Sequence, residues 1–395
     1  MSSYKYSVYN SAKQNNRRGN SGGNKRRGEY INPQRFVQVA KPTQAVDYTP
    51  QHEFSDFPLE PVIQANLTAK GFGVPSPIQD QTIPVGLAGK DIIGIANTGT
   101  GKTAAFAIPV IQALVSRQQA KALIVAPTRE LAQQIEQECR SIGKGGGFSG
   151  AILIGGTGMG GQLRDLRNRP RIVIGTPGRI KDHIERGTLK LDVFNIVVLD
   201  EVDRMLDMGF LPDVSFILKQ LAPVRQSFFF SATMDPRVQG LIGTFANDPQ
   251  TVSVKSGESS DHVNQDVVRY SGTHDKMDKL HDILLKEEVA KVIVFDETQR
   301  NVERLSNELV ARGFSADAIH GGKSQGQRQR ALSNFKASKT KILVATDVAA
   351  RGIDVIDITH VINYSQPQSY QDYVHRIGRA GRAGRIGHAL TFVNQ

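Results

Sequence analysis

The chain has 395 residues, which is too long for one ordinary domain and predicts two. A hydrophobic content of 39% and a charged content of 22% are typical of a globular protein, and no apolar run reaches the roughly eighteen residues that a membrane span requires. The N-terminal sequence MSSYKYSVYNS lacks the apolar stretch of a secretory signal, and the only cysteine, Cys139, excludes an internal disulfide framework. We therefore expect a cytoplasmic protein.

The net charge of +11 is concentrated near the N-terminus. Residues 1–45 contain nine Lys and Arg residues but only one acidic residue, Glu29, so this segment carries +8 of the total. It is rich in Asn, Gly and Ser and has almost no aliphatic periodicity, so it cannot bury enough apolar surface to offset the entropy of ordering. We predict a disordered basic tail that binds a polyanion. A tail that only keeps the protein soluble is the alternative.

Short apolar runs alternate with amphipathic helical stretches from about residue 54 onward. In the first half, the runs at 91–96, 122–127, 150–155, 171–176, 195–200 and 227–232 are typical of buried parallel strands. After a polar stretch at 255–266, the pattern resumes with runs at 291–296, 316–321, 341–347, 360–365 and 388–393. This repetition predicts two α/β domains with doubly wound parallel sheets, at 46–254 and 267–395, joined by a linker at 255–266. We expect no further domain after the last strand.

A glycine-rich loop, ANTGTGKT (96–103), follows the first predicted strand and precedes a helical stretch. This is the structural context of a Walker A motif. The amides of the loop, at Thr98, Gly99, Thr100 and Gly101, and the N-terminus of the following helix suit phosphate groups. We expect Lys102 to contact the β- and γ-phosphates and the Thr103 hydroxyl to be a ligand of Mg²⁺. Ala96 stands where the general pattern has its first glycine.

A pair of carboxylates follows a later strand, in VVLDEVD (197–203). We expect Asp200 to hold Mg²⁺ and Glu201 to orient or deprotonate the attacking water. An isolated Asp-Glu pair would be equally typical of a helix N-cap, but together with the Walker A motif it predicts a nucleoside triphosphatase. The segment GGTGMGG (155–161) also contains G-x-G-x-x-G. No acidic residue ends the next strand to hold a ribose, so we reject a dinucleotide-binding dehydrogenase.

Ten motifs in this order resemble those of DEAD-box RNA helicases. They are GFGVPSPIQ (71–79), ANTGTGKT (96–103), PTRELA (127–132), GG (155–156), TPGR (176–179), DEVD (200–203), SAT (231–233), HGGKSQGQR (320–328), ATDVAARGID (345–354) and HRIGRAGR (375–382). The resemblance covers about residues 54–395 and implies two tandem RecA-like doubly wound parallel-sheet domains. The first would bind ATP, and the second would be the helicase C-terminal domain.

The resemblance also implies roles for individual residues. Gln79 would contact the adenine edge and Phe72 would stack on the ring, with Phe54 as the upstream aromatic, which would make the enzyme selective for ATP. The positions matching RNA-backbone contacts are Arg129, Gly156, Thr176, Arg179, Gln325, Arg328, Thr346 and Asp347. Asp203, Ser231 and Thr233 match the link between hydrolysis and strand separation, and Gly352 and Asp354 match nucleotide contacts of the second domain.

Arg379 and Arg382 match arginine fingers, whose guanidinium groups stabilise the charge that gathers on the γ-phosphoryl group in the transition state. Such a finger accelerates hydrolysis by about 10³–10⁵. Two positions depart from the family pattern: Val202 replaces the alanine of the DEAD sequence, and Ala380 stands where threonine is common. The charged residues on either side of both positions are present, so we expect ATP hydrolysis to be retained.

We therefore expect an RNA-stimulated ATPase that uses Mg²⁺, opens short RNA duplexes without sequence preference and works as a monomer. A passive RNA chaperone is one alternative, favoured by the basic tail and distinguished by an ATPase assay with and without RNA. A related DNA helicase is the other, distinguished by comparing RNA with DNA stimulation, because 2′-hydroxyl contacts separate the two nucleic acids.

Overall fold

The computed structural model describes residues 30–41, 48–97, 99–254, 261–350, 353, 355, 357–381 and 385–395. Several predicted features therefore lie outside the described residues: most of the basic tail, the first part of the linker, and the site residues Thr98, Gly352, Asp354 and Arg382.

The first half forms one seven-stranded sheet. Its strands are β1 Ile92–Ile95, β2 Ala122–Val125, β3 Gly150–Leu153, β4 Ile172–Gly175, β5 Ile196–Leu199, β6 Gln226–Ser231 and β7 Gln250–Ser253, in the spatial order β3-β4-β2-β5-β6-β1-β7. All neighbouring strands are parallel. Its helices are α1 Pro61–Ala69, α2 Pro77–Leu87, α3 Lys102–Ser116, α4 Arg129–Ile142, α5 Met159–Arg167, α6 Pro177–Glu185, α7 Val202–Asp207, α8 Leu211–Lys219 and α9 Pro236–Phe245. A 3-10 turn at Phe54–Asp56 precedes them.

The second half forms a six-stranded sheet, which is also parallel. Its strands are β8 Val263–Tyr270, β9 Val292–Phe295, β10 Ala316–Ile319, β11 Ile342–Ala345, β12 His360–Asn363 and β13 Gly387–Asn394, in the order β10-β11-β9-β12-β13-β8. Its helices are α10 Gly272–Leu284, α11 Gln299–Ala311, α12 Gln325–Lys336, α13 Asp347–Ala350 and α14 Tyr370–Ile377.

The predicted fold class is confirmed, and every apolar run predicted as a strand contains one. Sequence reasoning missed β7 and β8. In β7 only Val252 is buried, and β8 is largely polar, because both are edge strands with one neighbour in the sheet. β8 begins at Val263, so the last residues of the predicted linker belong to the second sheet.

The hydrophobic core of the first half lies on both faces of its sheet. Successive strand residues point to opposite faces. Ile92 and Phe228 therefore pack with α2 and α3, whereas their neighbours Ile93 and Phe229 pack in a second cluster with α6 to α9. Helices on both faces explain why the central strands are apolar throughout. The loops after the carboxyl ends of these strands carry the motifs described above.

Residues 30–41 differ from the predicted disordered tail. Asn32 caps a 3-10 turn at Pro33–Phe36 by accepting a hydrogen bond from the Gln34 amide at 3.0 Å. Phe36 is fully buried against the second half. The segment FVQV (36–39) has three apolar residues, but only Phe36 is buried, and the average composition of residues 1–45 conceals this short apolar segment.

Cys139 is buried in α4, and burial raises the pKa of its thiol well above the usual range, so it is a packed structural residue. Along the stretches that the structure describes, no helix is both long and apolar enough to cross a membrane.

We predict opposite stability effects for two glycine substitutions. At Gly94→Ala, the added Cβ would lie 2.3 Å from a ring carbon of buried Phe230 on the neighbouring strand, so we expect a loss of about 1–3 kcal/mol. At Gly243→Ala, in α9 and in open space, we expect a gain of up to about 1 kcal/mol. Urea unfolding measures both, and a Gly94→Ala variant as stable as the parent would contradict the packing described here.

Candidate nucleotide and nucleic-acid sites

The phosphate loop lies between the end of β1 and the start of α3. Gly101 caps α3 with φ +94°, a conformation that glycine tolerates best, and a Cβ there would lie 2.5 Å from Nε2 of Gln79. Lys102, the first residue of α3, is buried, and its Nζ has no hydrogen-bond partner among the described residues. A buried ammonium group without an acceptor is unfavourable, so this loop fits an anionic ligand.

Two carboxylates face the same loop from the end of β5. Asp200 and Glu201 are both almost fully buried, and Glu201 has φ 55° and ψ 54°, a left-handed conformation that is uncommon outside glycine. Strained backbone of this kind is concentrated at functional sites. Nη1 of Arg204 lies 2.9 Å from Oε2 of Glu201.

Burial and neighbouring charges set the protonation of this pair. Burial raises the pKa of Asp200, partly opposed by the Lys102 ammonium. Burial acts in the same direction on Glu201, but Arg204, Lys102 and Arg379 outweigh it and lower the pKa of that carboxyl. Glu201 is therefore held as a charged hydrogen-bond acceptor, and Asp200 is a buried carboxyl group that a nearby cation would keep ionised. The Thr103 hydroxyl and the Asp200 carboxylate are hard oxygen donors of the kind that Mg²⁺ prefers.

These residues surround a cavity of 520 Å³. Its lining includes Phe72, Gln79, Gly99, Gly101, Lys102, Thr103, Asp200 and Glu201 from the first half and Lys336 from the second. Oε1 of Gln79 accepts a hydrogen bond from the Ser76 amide at 2.9 Å, and its Nε2 donates one to the Gly101 carbonyl at 3.1 Å. The side chain that the resemblance places at the adenine edge is thus bonded directly to the phosphate loop.

Phe72 and Phe54 lie together beside this cavity, with ring centroids 5.1 Å apart in an edge-to-face arrangement. Phe54 is buried, whereas Phe72 is only partly buried and lines the cavity. The structure therefore places Phe54 behind Phe72 as packing support.

The three residues expected to link hydrolysis to strand separation form one hydrogen-bonded group. Oδ2 of Asp203 accepts hydrogen bonds from the amides of Ala232 and Thr233 at 3.1 and 3.0 Å, and from the Thr233 hydroxyl at 3.2 Å. The Ser231 hydroxyl accepts one from the Asp203 amide at 3.3 Å and donates one to the Thr233 carbonyl at 2.7 Å. A shift of the segment after Glu201 would therefore move the loop after β6.

A second cavity, of 410 Å³, has residues from both halves in its walls. It is lined by Arg129, Thr176 and Arg179 from the first half and by Arg328 and Val348 from the second. Burial, then the like charge of Arg328 and then that of Arg179, lower the pKa of Arg129, although Glu130 opposes them. Arg129 thus has two further guanidinium groups close enough to disfavour its charge, and a cluster of this kind is suited to a phosphate backbone.

Gly156 leaves room for one of these cations. Its φ is +76°, and a Cβ there would lie 2.2 Å from Nη1 of Arg129. The glycine of this motif is therefore required by the close approach of the guanidinium group to the backbone.

Contacts between the halves lie along the same groove. Nη2 of Arg328 lies 2.8 Å from Oε1 of Glu130, with both side chains buried, and Nε2 of Gln325 donates to Oε1 of Gln133 at 3.0 Å. Sequence reasoning assigned Arg328 and Gln325 to RNA alone and did not single out Glu130 or Gln133. The pairs are almost 200 residues apart in sequence, so only the folded chain reveals them.

Thr346 and Asp347 do not line this groove cavity; their neighbour Val348 does. The Asp347 carboxylate is instead bonded to Arg376 through both oxygens, at 2.6 and 2.7 Å. Arg376, which sequence reasoning did not assign, also donates to the Ser365 carbonyl at 2.7 Å. It fixes α14 to the first residue of α13.

Arg379 follows α14 and is buried, with its Nη1 donating to the Ile353 carbonyl at 3.0 Å. Its charge helps to lower the pKa of Glu201, as does that of His375, so both side chains are close enough to act on the first half's carboxylate. The second predicted finger, Arg382, lies outside the described residues.

Fold and site together define a P-loop nucleotide-binding protein with two tandem RecA-like domains. The DEAD/DEAH box helicase model matches residues 76–241, and the helicase conserved C-terminal domain model matches residues 275–384. The chain belongs to the DEAD-box family of helicases.

Bacterial relatives agree with this assignment. The chain is 44% identical over 343 residues to the ATP-dependent RNA helicase CshA of Limosilactobacillus reuteri, covering 86% of this chain and 69% of that protein. It is 43% identical over 343 residues to the DEAD-box ATP-dependent RNA helicase CshA of Bacillus licheniformis, covering 86% and 70%.

Solved structures of two proteins are similar over both halves. Dbp5 of S. cerevisiae, bound to RNA and ADP BeF3, is 28% identical with a TM-score of 0.74, covering 87% of this chain and 89% of that one. A DEAD box protein from Methanococcus jannaschii is 39% identical with a TM-score of 0.50, covering 87% and 93%. The more similar sequence has the lower TM-score.

We predict that Gly101→Ala weakens nucleotide binding at least tenfold. The new Cβ would collide with the Gln79 amide and force a residue with φ +94° into strain, so both the phosphate loop and the adenine-edge side chain would move. Titration with a fluorescent ATP analogue measures the affinity. Gly160→Ala, in α5 and in open space, is the matched control, and equal affinities for the two variants would contradict the expected site.

Proposed function

We propose that the chain is an RNA-stimulated ATPase that uses hydrolysis to open short RNA duplexes locally. One observation carries this proposal: the cavity with the phosphate loop and the groove with the guanidinium groups both have walls from the two halves of the chain. A ligand in either cavity would therefore favour the same closed arrangement, so the two ligands would bind cooperatively.

In the first cavity, Gln79 and Phe72 would select adenine, and Lys102 would meet the terminal phosphates. Thr103 and Asp200 would hold Mg²⁺, which when bound supplies charge neutralisation of the β- and γ-phosphate oxygens. Glu201 is a charged acceptor fixed by Arg204 and would orient the attacking water. These roles are supported by the burial of Lys102, Asp200 and Glu201, which all line one cavity.

Arg379 would complete the catalytic group from the second half. Its guanidinium lies close enough to influence Glu201, and it would stabilise the charge that develops on the γ-phosphoryl group. Arg382 is proposed as the second finger on the basis of the motif alone. Because the finger and the phosphate loop come from different halves, turnover would require closure.

In the groove, Arg129, Gly156, Thr176, Arg179 and Arg328 would hold the RNA backbone. Contacts to phosphate and sugar carry no base sequence, so binding would be nonspecific and sensitive to salt. Gln325, Thr346 and Asp347 are proposed RNA contacts of the second half, although in this structure Gln325 contacts Gln133 and Asp347 contacts Arg376.

A closed groove that fits only a bent single strand would separate a few base pairs. With DNA stacking as a guide, each step costs about 1.4 kcal/mol, so a handful of steps is within reach of binding energy and dozens are not. We therefore propose local opening, by a cytoplasmic monomer. The similarity in domain arrangement to the RNA- and nucleotide-bound Dbp5 structure supports a closed state of this kind.

We predict that Lys102→Ala and Glu201→Gln each reduce RNA-stimulated ATP turnover at least a hundredfold without unfolding the protein. The first removes the phosphate-binding ammonium and the second removes the charged acceptor. ATP turnover titrated with single-stranded RNA is the measurement. Lys286→Ala and Glu287→Gln, which are exposed, are the matched controls. Undiminished turnover in either site variant would exclude the proposed nucleotide site. If the parent chain annealed RNA but had no ATPase activity, that result would favour a passive RNA chaperone.

We predict that Ser231→Ala separates ATP hydrolysis from strand separation. The hydroxyl has one bond to Asp203 and one to Thr233, and it lies outside the nucleotide cavity's lining, so its loss should disturb the coupling group more than the catalytic residues. We expect duplex unwinding to fall at least tenfold and ATP turnover to fall less than about threefold. Strand displacement per ATP hydrolysed gives the ratio, with exposed Ser338→Ala as control. A proportional loss of both activities would argue against a coupling role.

A further inference from the structure

Residues 30–41, here called the arm, lie on the second half although the chain reaches Tyr48 of the first half only a few residues later. The arm adds an antiparallel bridge to the free edge of β8. The Gln38 amide donates to the Gln265 carbonyl at 3.0 Å, and the Gln265 amide donates to the Gln38 carbonyl at 2.7 Å. The Lys41 amide donates to the Asp261 carbonyl at 2.9 Å. The arm is therefore docked as an added strand.

Side chains of the arm pack on α14. Phe36 is fully buried, and its ring centroid lies 4.6 Å from that of Tyr373, which is also fully buried. The Tyr373 hydroxyl donates to Oε1 of Gln265 at 2.9 Å, so the ring that Phe36 contacts is tied to the strand that pairs with the arm. The Arg35 guanidinium lies 3.8 Å from the centroid of the Tyr370 ring. The arm thus covers α14 at two successive turns.

The helix that the arm covers carries the proposed finger. Arg376, in its last turn, is bonded to Asp347, and Arg379 follows two residues after its end. Tyr373 and Ile377 of α14 form one apolar cluster with Ile31 and Phe36 of the arm. Removing Phe36 would take from Tyr373 the ring that lies 4.6 Å from its own.

The segment that leads into β8 contacts Gly381, two residues after Arg379, and Gly387. The Gly387 amide donates to the His262 carbonyl at 2.9 Å, and a Cβ at Gly381 would lie 2.8 Å from the same oxygen. His262 lies between Asp261 and Gln265, the two residues that accept hydrogen bonds from the arm. The arm therefore contacts both the helix before Arg379 and the strand whose leading residue lies against Gly381.

We propose that the arm positions the arginine finger, with Phe36 as its central positioning residue. The proposal rests on the proposed function, because it requires Arg379 to act in hydrolysis. A displacement of about 1 Å at a catalytic group can lower the rate by roughly 10². Contacts that hold α14 in place would therefore affect the rate of ATP turnover directly. The simpler alternative is that the arm only protects the edge of β8 from pairing with other chains.

The test uses the full-length chain with Phe36→Ala, the conservative variant Phe36→Leu, and Val39→Ala as matched control, since Val39 is 78% exposed on the same segment. The measurements are kcat and KM for ATP at saturating single-stranded RNA, together with thermal unfolding. We expect Phe36→Ala to lower kcat about tenfold with KM for ATP within twofold, because the nucleotide contacts of the first half are unchanged. Phe36→Leu should restore most of kcat, and Val39→Ala should match the parent.

A Phe36→Ala variant with parental kcat would overturn the proposal even if its unfolding temperature fell. Lower stability with unchanged kcat would mean that the arm only protects the edge of β8. A change confined to KM for ATP would also overturn it. If Phe36→Ala does not fold, the chain lacking residues 1–41 is compared with the chain lacking residues 1–29, and equal kcat values would overturn the proposal. A parent chain without RNA-stimulated turnover would refute the proposed function instead, so the two failures are distinguishable.

Discussion

The carboxylate of Glu201 experiences positive charge from both halves of the chain: Arg204 and Lys102 beside it, and Arg379 from across the cleft. Charges buried this deeply are tolerated only when they are paired, because desolvation costs several kcal/mol per ion. The Arg328–Glu130 pair repeats this arrangement on the groove side. Pairing across the cleft thus favours one closed geometry, and both candidate sites depend on that geometry.

The two sites are connected through short, hydrogen-bonded segments of the first half. Glu201 is the N-cap residue of α7, and Asp203, two residues later, accepts hydrogen bonds from the loop after β6. Arg129 and Glu130 are adjacent in sequence. Arg129 lines the groove together with Arg179, and Glu130 forms an ion pair with Arg328 of the second half. A change in how closely the two halves approach each other would therefore move residues of the nucleotide cavity and of the groove at the same time. No long series of intermediate contacts is needed.

Among the residues that the structure describes, the chain passes from one half to the other at two places. Residues 42–47 join the docked arm to Tyr48, and residues 255–260 join β7 to the segment before β8. Tyr48, Gln51 and His52 are fixed to Asp80 of α2 by hydrogen bonds, next to Gln79. Each crossing spans at most about 25 Å when fully extended, so a docked arm limits how far the second half can move away.

Sequence by itself determined the two parallel-sheet domains, the phosphate loop and the family, because buried strands and glycine-rich loops are encoded by residues that are neighbours in the chain. It did not determine the edge strands β7 and β8, which have few buried apolar residues. It did not determine the docked arm either, whose position depends on Tyr373 and Gln265, more than 200 residues away. Only the tertiary structure decided that Glu130 pairs with Arg328 and Asp347 with Arg376. A charged side chain in a motif indicates that a partner is needed, and the folded geometry alone determines whether that partner is a ligand or another residue.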